Sequence, residues 1–356
     1  ETFAMKKDGT EGVIFDDLDD SWSIEAVEVT ENLPENYTLT TTRNDRIATA
    51  AGGEVTLVNE YTAPRGSLTV TKSVTGDTTD SRYDSNKAYK IKIAFDTAGT
   101  YKVKVANGTE TNVAFTANNA KTYSLKAGES VVVTQIPEGV KYTVTEEDLT
   151  AAYTDAGYAK GTIEDQGTGS IVKNTNSDVT VGNTYTVPTG SLSIQKEVTG
   201  DTTNVNYDAD TEYTVNVQFD ESGTYGVKKD ETTTDTAFTA GTAISYTLKA
   251  NETVEISKVP VGVKYIVTES DLTTAQTDAG YAKGSITNNG KGAIVKAGTS
   301  LVVGNTYSAP KSSLDIVKKV TGDGYDTSRK FQIEVKFGTA GTYKVKVGTA
   351  AVKSES

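Results

Sequence analysis

One block of sequence occurs three times in this chain of 356 residues, and this repetition constrains the fold more than any other feature. The copies read GSLTVTKSVTGD at Gly66–Asp77, GSLSIQKEVTGD at Gly190–Asp201 and SLDIVKKVTGD at Ser313–Asp323. Recurrence at a nearly constant interval is typical of tandem structural units that share one architecture. We therefore expect several copies of one domain rather than a single large domain.

Two further blocks recur in the same order after the opening block. The middle block is followed by a shared TDAGYAKG sequence, and the closing block contains an Asn-x-Tyr-x-x-Pro pattern. The middle block reads IPEGVKYTVTEEDL at Ile136–Leu149 and VPVGVKYIVTESDL at Val259–Leu272. The closing block reads LVNEYTAP at Leu57–Pro64, VGNTYTVP at Val181–Pro188 and VGNTYSAP at Val303–Pro310. The proline stiffens a junction of one or two residues before the next unit.

The order of the blocks predicts two complete repeats and the two parts of a third. Residues 65–188 and residues 189–310 each run from an opening block to a closing block. Residues 311–356 match the N-terminal part of a repeat, and residues 1–64 match the C-terminal part, which indicates a split repeat. The chain begins at Glu1, has its one Met at position 5 and shows no signal peptide, so we interpret it as one period of a longer array.

Short segments within each repeat alternate apolar and polar residues, as in KAYKIKIAF at Lys87–Phe95 and EYTVNVQF at Glu212–Phe219. Turn residues separate these segments, and the abundant Thr, Val and Tyr favour strands. Alternation of this kind is typical of an antiparallel sheet with one buried face. The sequence therefore predicts an all-β fold of tandem Ig-like β-sandwich domains arranged as an elongated rod. The best candidate for a short helix lies at Asp148–Tyr158.

Histidine and cysteine are both absent from the sequence. Their absence excludes Ser–His and Cys–His nucleophile pairs, the usual zinc sites and disulfide bonds. A net charge of −13 argues against nucleic acid as a partner, because phosphate binding needs clustered Lys and Arg. No apolar run is long enough to span a bilayer, so we expect no membrane insertion of this segment. We expect no cofactor, and we interpret the Asp-rich and Asn-rich loops as solvated turns rather than calcium sites.

Three polar residues of each repeat fall on strand faces that are otherwise apolar. Because successive side chains point to opposite sides of a strand, Lys72 lies on the same side as Leu68 and Val70, toward the core. The same reasoning places a glutamate in the middle strand and an asparagine in the closing strand on inner faces. The three sets are Lys72, Glu146 and Asn183; Lys196, Glu269 and Asn305; and, in the split repeat, Lys318, Glu31 and Asn59.

Burial of such a set favours a particular reaction. Desolvation lowers the pKa of a lysine and raises the pKa of a glutamate. A neutral amine is a nucleophile, and a protonated carboxyl group can polarise an amide carbonyl and shuttle protons. Attack of the lysine on the asparagine side chain would release ammonia and leave a Lys–Asn amide bond, once per domain. The alternative is that the lysine extends to solvent, the asparagine caps a turn and the glutamate is a surface charge.

The segments that carry these residues resemble Cna-B-type domains, the B repeats of collagen adhesins and Gram-positive pilins. LTVTK, LSIQK and LDIVK resemble that family's first strand, YTVTE and YIVTE resemble its glutamate strand, and VEVTENLPENYTLT with the later LVNEYTAP resembles its C-terminal half. The resemblance implies that lysine joins asparagine with glutamate as the catalyst. The implied bonds are Lys72–Asn183 with Glu146, Lys196–Asn305 with Glu269, and Lys318–Asn59 with Glu31.

Together these features predict a structural stalk or filament protein on the surface of a bacterium, of the Gram-positive type by the resemblance. The expected role is mechanical, with no enzyme activity beyond one self-cross-linking event per domain. The expected partners are other copies of the chain, head to tail, with residues 311–356 of one copy completing residues 1–64 of the next, either along one continuous chain or between separate chains. The alternative is a ligand-binding adhesin whose repeats contact host or substrate directly.

Overall fold

Strands form nearly all of the regular structure. The computed structural model describes residues 18–19, 21–24, 26, 36–41, 47–48, 58–338, 340–348 and 352–355. Between residues 65 and 307 the strands form four sheets, and these pack in pairs as two β-sandwiches that follow each other along the chain. The prediction of tandem all-β sandwich domains is confirmed. We call residues 65–185 the first sandwich and residues 189–307 the second sandwich.

The described residues before the first sandwich contribute four short strands. They are β1 (Ser23–Ile24), β2 (Tyr37–Thr41), β3 (Ile47–Ala48) and β4 (Val58–Tyr61). β1 pairs with β3 and β2 pairs with β4, in both cases antiparallel.

The first sandwich contains ten strands and one short helix. They are β5 (Arg65–Gly76), β6 (Ala88–Phe95), β7 (Gly99–Val105), β8 (Thr111–Phe115), β9 (Lys121–Lys126), β10 (Ser130–Pro137), β11 (Lys141–Glu146), α1 (Ala151–Asp155), β12 (Tyr158–Ile163), β13 (Thr168–Ser170) and β14 (Asn176–Tyr185). One sheet has the strand order β12-β14-β5-β10-β7-β8, and the other has the order β13-β11-β6-β9.

The second sandwich repeats this arrangement. Its elements are β15 (Thr189–Gly200), β16 (Tyr213–Phe219), β17 (Gly223–Lys229), β18 (Thr232–Phe238), β19 (Ala243–Leu248), β20 (Thr253–Pro260), β21 (Lys264–Glu269), α2 (Thr274–Asp278), β22 (Tyr281–Ile286), β23 (Lys291–Ala293) and β24 (Thr299–Tyr307). The strand orders are β18-β17-β20-β15-β24-β22 and β19-β16-β21-β23.

The core of each sandwich follows the alternation in the sequence. On β6, Tyr89, Ile91, Ile93 and Phe95 are buried between the two sheets, whereas Lys90 faces solvent. Burying a side chain of this size contributes about 1.5–3 kcal/mol relative to leaving it exposed. The alternation therefore determines which face of each strand becomes the inner one.

The first and last strands of each sandwich are neighbours and run parallel. β5 pairs with β14, and β15 pairs with β24, at the centre of the two six-stranded sheets. The glycine at the start of the opening block of each complete repeat lets the first strand lie close to the main chain of the segment that precedes the last strand. A Cβ atom at Gly66 would lie 2.3 Å from the main-chain oxygen of Val172, and one at Gly190 would lie 2.1 Å from that of Val295. This contact explains the glycine that begins the GSL sequence of both complete repeats.

The two α-helices of the described residues are single turns. α1 lies inside the segment Asp148–Tyr158 for which the sequence favours a helix. α2 occupies the same position in the second sandwich and has a capping box between Thr273 and Gln276. Among the described residues, no helix has the length and apolar character needed to cross a membrane.

Three residues, 186–188, join the two sandwiches, and charged side chains meet across this junction. Arg82 of the first sandwich forms an ion pair with Glu221 of the second, and Lys296 lies 3.4 Å from the carboxylate of Asp155. Pairs of this kind, which remain partly accessible to solvent, each contribute about 0–1 kcal/mol. The junction therefore combines a short connection with weak polar contacts.

Residues after the second sandwich differ from the expected opening strand. Residues 311–338 form no strand among the described residues, and Leu314 and Ile316 are 71% and 48% exposed. Their counterparts in the first sandwich, Leu68 and Val70, are fully buried. In a complete sandwich the opening strand is held by β10 and β14, which come from the second part of a repeat. The described strands of this tail are β25 (Tyr343–Val345) and β26 (Lys353–Glu355), which pair with each other.

Candidate functional site

The described residues contain six polar or charged side chains that are buried, and all six belong to the sets that the sequence singled out. They are Lys72 (0% exposed), Glu146 (7%), Asn183 (1%), Lys196 (0%), Glu269 (8%) and Asn305 (1%). Lys and Glu are almost never buried unless they are paired. Each sandwich therefore contains one buried Lys, Glu and Asn, which we call its triad.

The strand order and register bring the members of the first triad together. Lys72 is an inward residue of β5, and Asn183 is an inward residue of the neighbouring strand β14. In the parallel register Lys72 lies opposite Val181, so Asn183 is two residues further along on the same face. Glu146 is on β11 in the other sheet and reaches the pair from across the core. Period-2 alternation alone thus directs all three side chains inward.

Glu146 contacts both other members of the first triad. The amide nitrogen Nδ2 of Asn183 donates to Oε1 of Glu146 at 2.9 Å. Nζ of Lys72 lies 3.5 Å from the same oxygen, and it donates to the main-chain oxygen of Val181 at 2.9 Å. The carboxylate therefore lies beside the lysine amine and beside the amide nitrogen of the asparagine.

The second triad reproduces this geometry. Nδ2 of Asn305 donates to Oε1 of Glu269 at 2.9 Å, and Nζ of Lys196 lies 3.3 Å from that oxygen. Nζ of Lys196 also donates to the main-chain oxygen of Val303 at 3.0 Å. Two sandwiches with different loops and surface residues thus have the same polar contacts at the same strand positions.

Burial shifts the protonation of the two lysines toward the neutral amine. Desolvation lowers the pKa of Lys72 to about 8, against the opposing effect of the nearby Glu146 carboxylate. Desolvation likewise lowers the pKa of Lys196, with Glu269 acting in the opposite direction. A larger share of each amine is therefore neutral near physiological pH than for an exposed lysine.

An aromatic ring covers each lysine amine. Nζ of Lys72 lies 4.6 Å from the centroid of the Tyr89 ring, and Nζ of Lys196 lies 4.4 Å from that of Tyr213. The hydroxyl groups of both tyrosines are buried and have no hydrogen-bond partner among the described residues. Desolvation by burial is the main cause that raises the pKa of both tyrosines, so both remain neutral. Sequence reasoning did not identify these tyrosines, although both follow the opening block at matching positions.

The third set of predicted residues is placed differently. Lys318 is exposed, and its Nζ lies 4.8 Å from the ring centroid of Phe331. Asn59 is an exposed residue of β4, opposite Leu39 of β2. Glu31 lies outside the described residues. Lys318 was expected on an inner strand face, and it is exposed because the described tail lacks the partner strands that bury Lys72.

The TDAGYAKG sequence, which received no role in the sequence analysis, borders both triads. Lys160 and Gly161 belong to β12, which pairs with the asparagine strand β14. Nζ of Lys160 donates to the main-chain oxygen of Glu146 at 2.9 Å, and Lys283 does the same to Glu269 at 2.8 Å. Recurrence of this block was the available sequence signal. Among the described residues, no group of three or more Asp or Glu side chains could hold a metal ion.

A family model described as a domain of unknown function (DUF7601) matches residues 66–185 and again residues 190–307. The two matches cover more than half of the chain and coincide with the two sandwiches to within one residue. The chain belongs to the DUF7601 family. Each of its two DUF7601 domains therefore contains one triad. No curated protein matches the chain.

Several solved structures are similar to this chain at low identity. A major pilin from Streptococcus pyogenes is 17% identical, with 69% of this chain and 99% of the pilin covered and a TM-score of 0.31. The major pilin T-13 from Streptococcus pyogenes serotype GAS131465 is 17% identical, with 69% and 100% covered and a TM-score of 0.30. The pilus-presented adhesin Spy0125 (Cpa) is 16% identical, with 48% and 36% covered and a TM-score of 0.26.

Removal of the Tyr89 hydroxyl tests the packing around the first triad. We expect Tyr89→Phe to leave the free energy of unfolding unchanged or to raise it by up to about 1 kcal/mol, because no hydrogen bond is lost. The matched variant is Tyr153→Phe, which removes a 2.7 Å hydrogen bond to the main-chain oxygen of Ala88 and should cost about 0.5–1.5 kcal/mol. Chemical denaturation measures both. Equal losses in the two variants would contradict the described environment of Tyr89.

Proposed function

We propose that this chain is a structural filament or stalk protein of the bacterial cell surface, whose domains are locked by self-formed Lys–Asn bonds. The observation that carries the proposal is the triad, buried in both DUF7601 domains with nearly equal distances. A buried lysine that remained charged would cost several kcal/mol unless it were well paired. Conversion of the amine to a neutral amide removes that cost permanently.

The triad supplies every bond that forms or breaks in the proposed reaction. The neutral amine of Lys72 attacks Cγ of Asn183 and forms the new Nζ–Cγ bond. Glu146, which touches both nitrogens, takes a proton from Nζ and gives it to Nδ2. The Cγ–Nδ2 bond then breaks, ammonia leaves and an amide remains. Each triad reacts once, so the role of the chain is mechanical rather than enzymatic.

The position of the bond suits a chain that carries tension. Lys72 and Asn183 lie on β5 and β14, the first and last strands of the first sandwich. Force that enters at one end of the domain and leaves at the other would pass directly between these strands through the bond. The strands and loops between the two residues would then carry no load. Lys196 and Asn305, on β15 and β24, repeat this connection in the second domain.

The proposal extends to assembly between copies. Residues 311–338 carry apolar side chains whose counterparts are buried in the complete sandwiches, so this segment fits the first part of a third sandwich. Residues 1–64 have the sequence of the second part. We assign these residues of a neighbouring copy as the completing partner, with Lys318, Glu31 and Asn59 as the third triad. The Cna-B resemblance accords with a Gram-positive surface filament.

The mass of the intact chain tests the two internal bonds. We expect the purified protein to be lighter than its sequence mass by two ammonia molecules, one for each described triad. Asn183→Ala and Asn305→Ala should each abolish one loss, because the electrophile is removed. Asn119→Ala, at an exposed position outside the triads, serves as the control and should leave both losses unchanged. A full, unmodified mass for the wild-type chain would exclude the bonds.

The pH dependence of bond formation follows from the lysine pKa. Because burial lowers the pKa of Lys72 to about 8, its neutral fraction rises with pH up to that value and then levels off. We expect the rate to increase about tenfold per pH unit below about pH 8 and to become constant above it. Denatured chains that have not previously folded can be diluted into buffers of different pH and sampled by mass spectrometry. A rate that falls with rising pH would contradict a neutral amine nucleophile.

Denaturing gels test the bond between copies. If Lys318 of one copy joins Asn59 of a neighbour, concentrated protein boiled in detergent should give a ladder with steps of 37.7 kDa. Lys318→Met should collapse the ladder to one band because it removes the nucleophile. Lys319→Met, at the adjacent position, should retain the ladder. A single band near 37.7 kDa for the wild-type chain would contradict covalent assembly.

A further inference from the structure

A main-chain N–H group points at the asparagine carbonyl in both triads. The N–H of Gly161 donates to Oδ1 of Asn183 at 3.4 Å, and the N–H of Gly284 donates to Oδ1 of Asn305 at 3.3 Å. Both glycines belong to the YAKG sequence at the end of the shared TDAGYAKG block. The oxygen and the nitrogen of each amide thus have different partners. The oxygen accepts from the glycine N–H, and the nitrogen donates to the glutamate.

A break in strand pairing produces this contact. β12 and β14 pair in register up to Lys160, and the register shifts before Ile163. The same shift occurs between Lys283 and Ile286 of the second sandwich. A bulge of this kind leaves main-chain groups outside the regular ladder and can direct them toward a side chain. Gly161 and Thr162 lie inside the first bulge, and Gly284 and Ser285 lie inside the second.

Close approach of two strands explains why the bulge residue is glycine. A Cβ atom at Gly161 would lie 2.9 Å from the main-chain oxygen of Gly182, and one at Gly284 would lie 2.7 Å from that of Gly304. Any larger residue would push β12 away from β14 and lengthen the N–H to Oδ1 contact. The side chain of Lys160 connects the same segment to the glutamate strand β11, because its Nζ donates a hydrogen bond to the main-chain oxygen of Glu146.

We infer that the N–H groups of Gly161 and Gly284 are catalytic donors that stabilise the negative charge on the asparagine Oδ1 during Lys–Asn bond formation. This inference rests on the proposed bond and assigns its electrophilic activation to the main chain. When Nζ attacks Cγ, the carbonyl electron pair moves onto Oδ1, where the glycine N–H meets it. When ammonia leaves, the C=O bond reforms. Glu146 and Glu269 touch the nitrogens and therefore move protons rather than polarise the carbonyl.

The two glycine N–H groups are held in place by the fold before the reaction begins. A donor held by the fold next to an oxygen that gains charge needs no reorganisation during the reaction, and removal of one such donor typically slows acyl transfer by about 10²–10³-fold. Contacts of this kind are often long before reaction and tighten as charge develops. Distances of 3.4 and 3.3 Å, repeated in two independent copies, fit that description.

Exchange of one atom tests the donor. Glycolic acid in place of Gly161, introduced by cell-free translation of the full chain, replaces the N–H with an ester oxygen and adds no side chain. We expect loss of ammonia from the first sandwich to slow on the order of 10²-fold. The second sandwich of the same molecule, with Gly284 intact, should react at the wild-type rate and serves as the internal reference. Time-resolved intact mass and peptide mapping assign each loss to its domain.

A second ester separates catalysis from stability. Gly139 donates a 2.9 Å hydrogen bond to the main-chain oxygen of Ile171, outside the triad, so glycolic acid at this position removes a comparable main-chain bond. This variant should react at nearly the wild-type rate in its protease-resistant, folded fraction. Equal slowing by both esters, or no slowing by the ester at position 161, would overturn the inference while wild-type bonds still form. An unmodified wild-type mass would instead overturn the proposed bond, and the inference with it.

Discussion

Burial of a lysine amine between two sheets is the constraint on which each sandwich depends. Lys72 and Lys196 are completely inaccessible to solvent, at positions where the neighbouring inward residues are aliphatic. A charged amine there needs partners, which are the carboxylate of the triad and the main-chain oxygens of Val181 and Val303. The same burial that threatens stability also favours the neutral, nucleophilic form of the amine. The energetic cost of the buried charge and the nucleophilicity of the amine therefore have the same cause, which is desolvation.

The topology determines which residues can meet that amine. Because β5 and β14 are adjacent and parallel, a residue of the closing strand lies beside the opening strand although the two are more than a hundred residues apart in sequence. The glutamate comes from the opposite sheet, where the inward side chain of Glu146 on β11 reaches across the core. The bulge of β12 then supplies the fourth participant, a main-chain donor. Each contributor thus comes from a different strand.

Much of this arrangement could be predicted from period-2 alternation. That rule placed Lys72, Glu146 and Asn183 on inner faces, and all three are buried. Every second side chain of a strand points to the same face of the sheet, and in a sandwich one face is the core. The Gly161 contact could not be predicted, because a bulge breaks the alternation on which the reasoning depends. The Tyr89 ring was missed for another reason. An aromatic residue in a strand is ordinarily interpreted as a core residue. Its position above Nζ can be predicted only when the strand order is known.

Comparison of the three opening blocks shows that local sequence is not sufficient to form the site. Lys72 and Lys196 have different neighbours, Ser73 and Glu197, yet their contacts to glutamate differ by only a few tenths of an ångström. Lys318 has nearly the same local sequence as Lys196 and is exposed. What distinguishes them is the presence of strands from the second part of a repeat. The triad is therefore a property of the completed sandwich, and a lysine in an isolated opening segment stays exposed to solvent. Reaction would then begin after the last strand is in place, which couples covalent locking to correct folding.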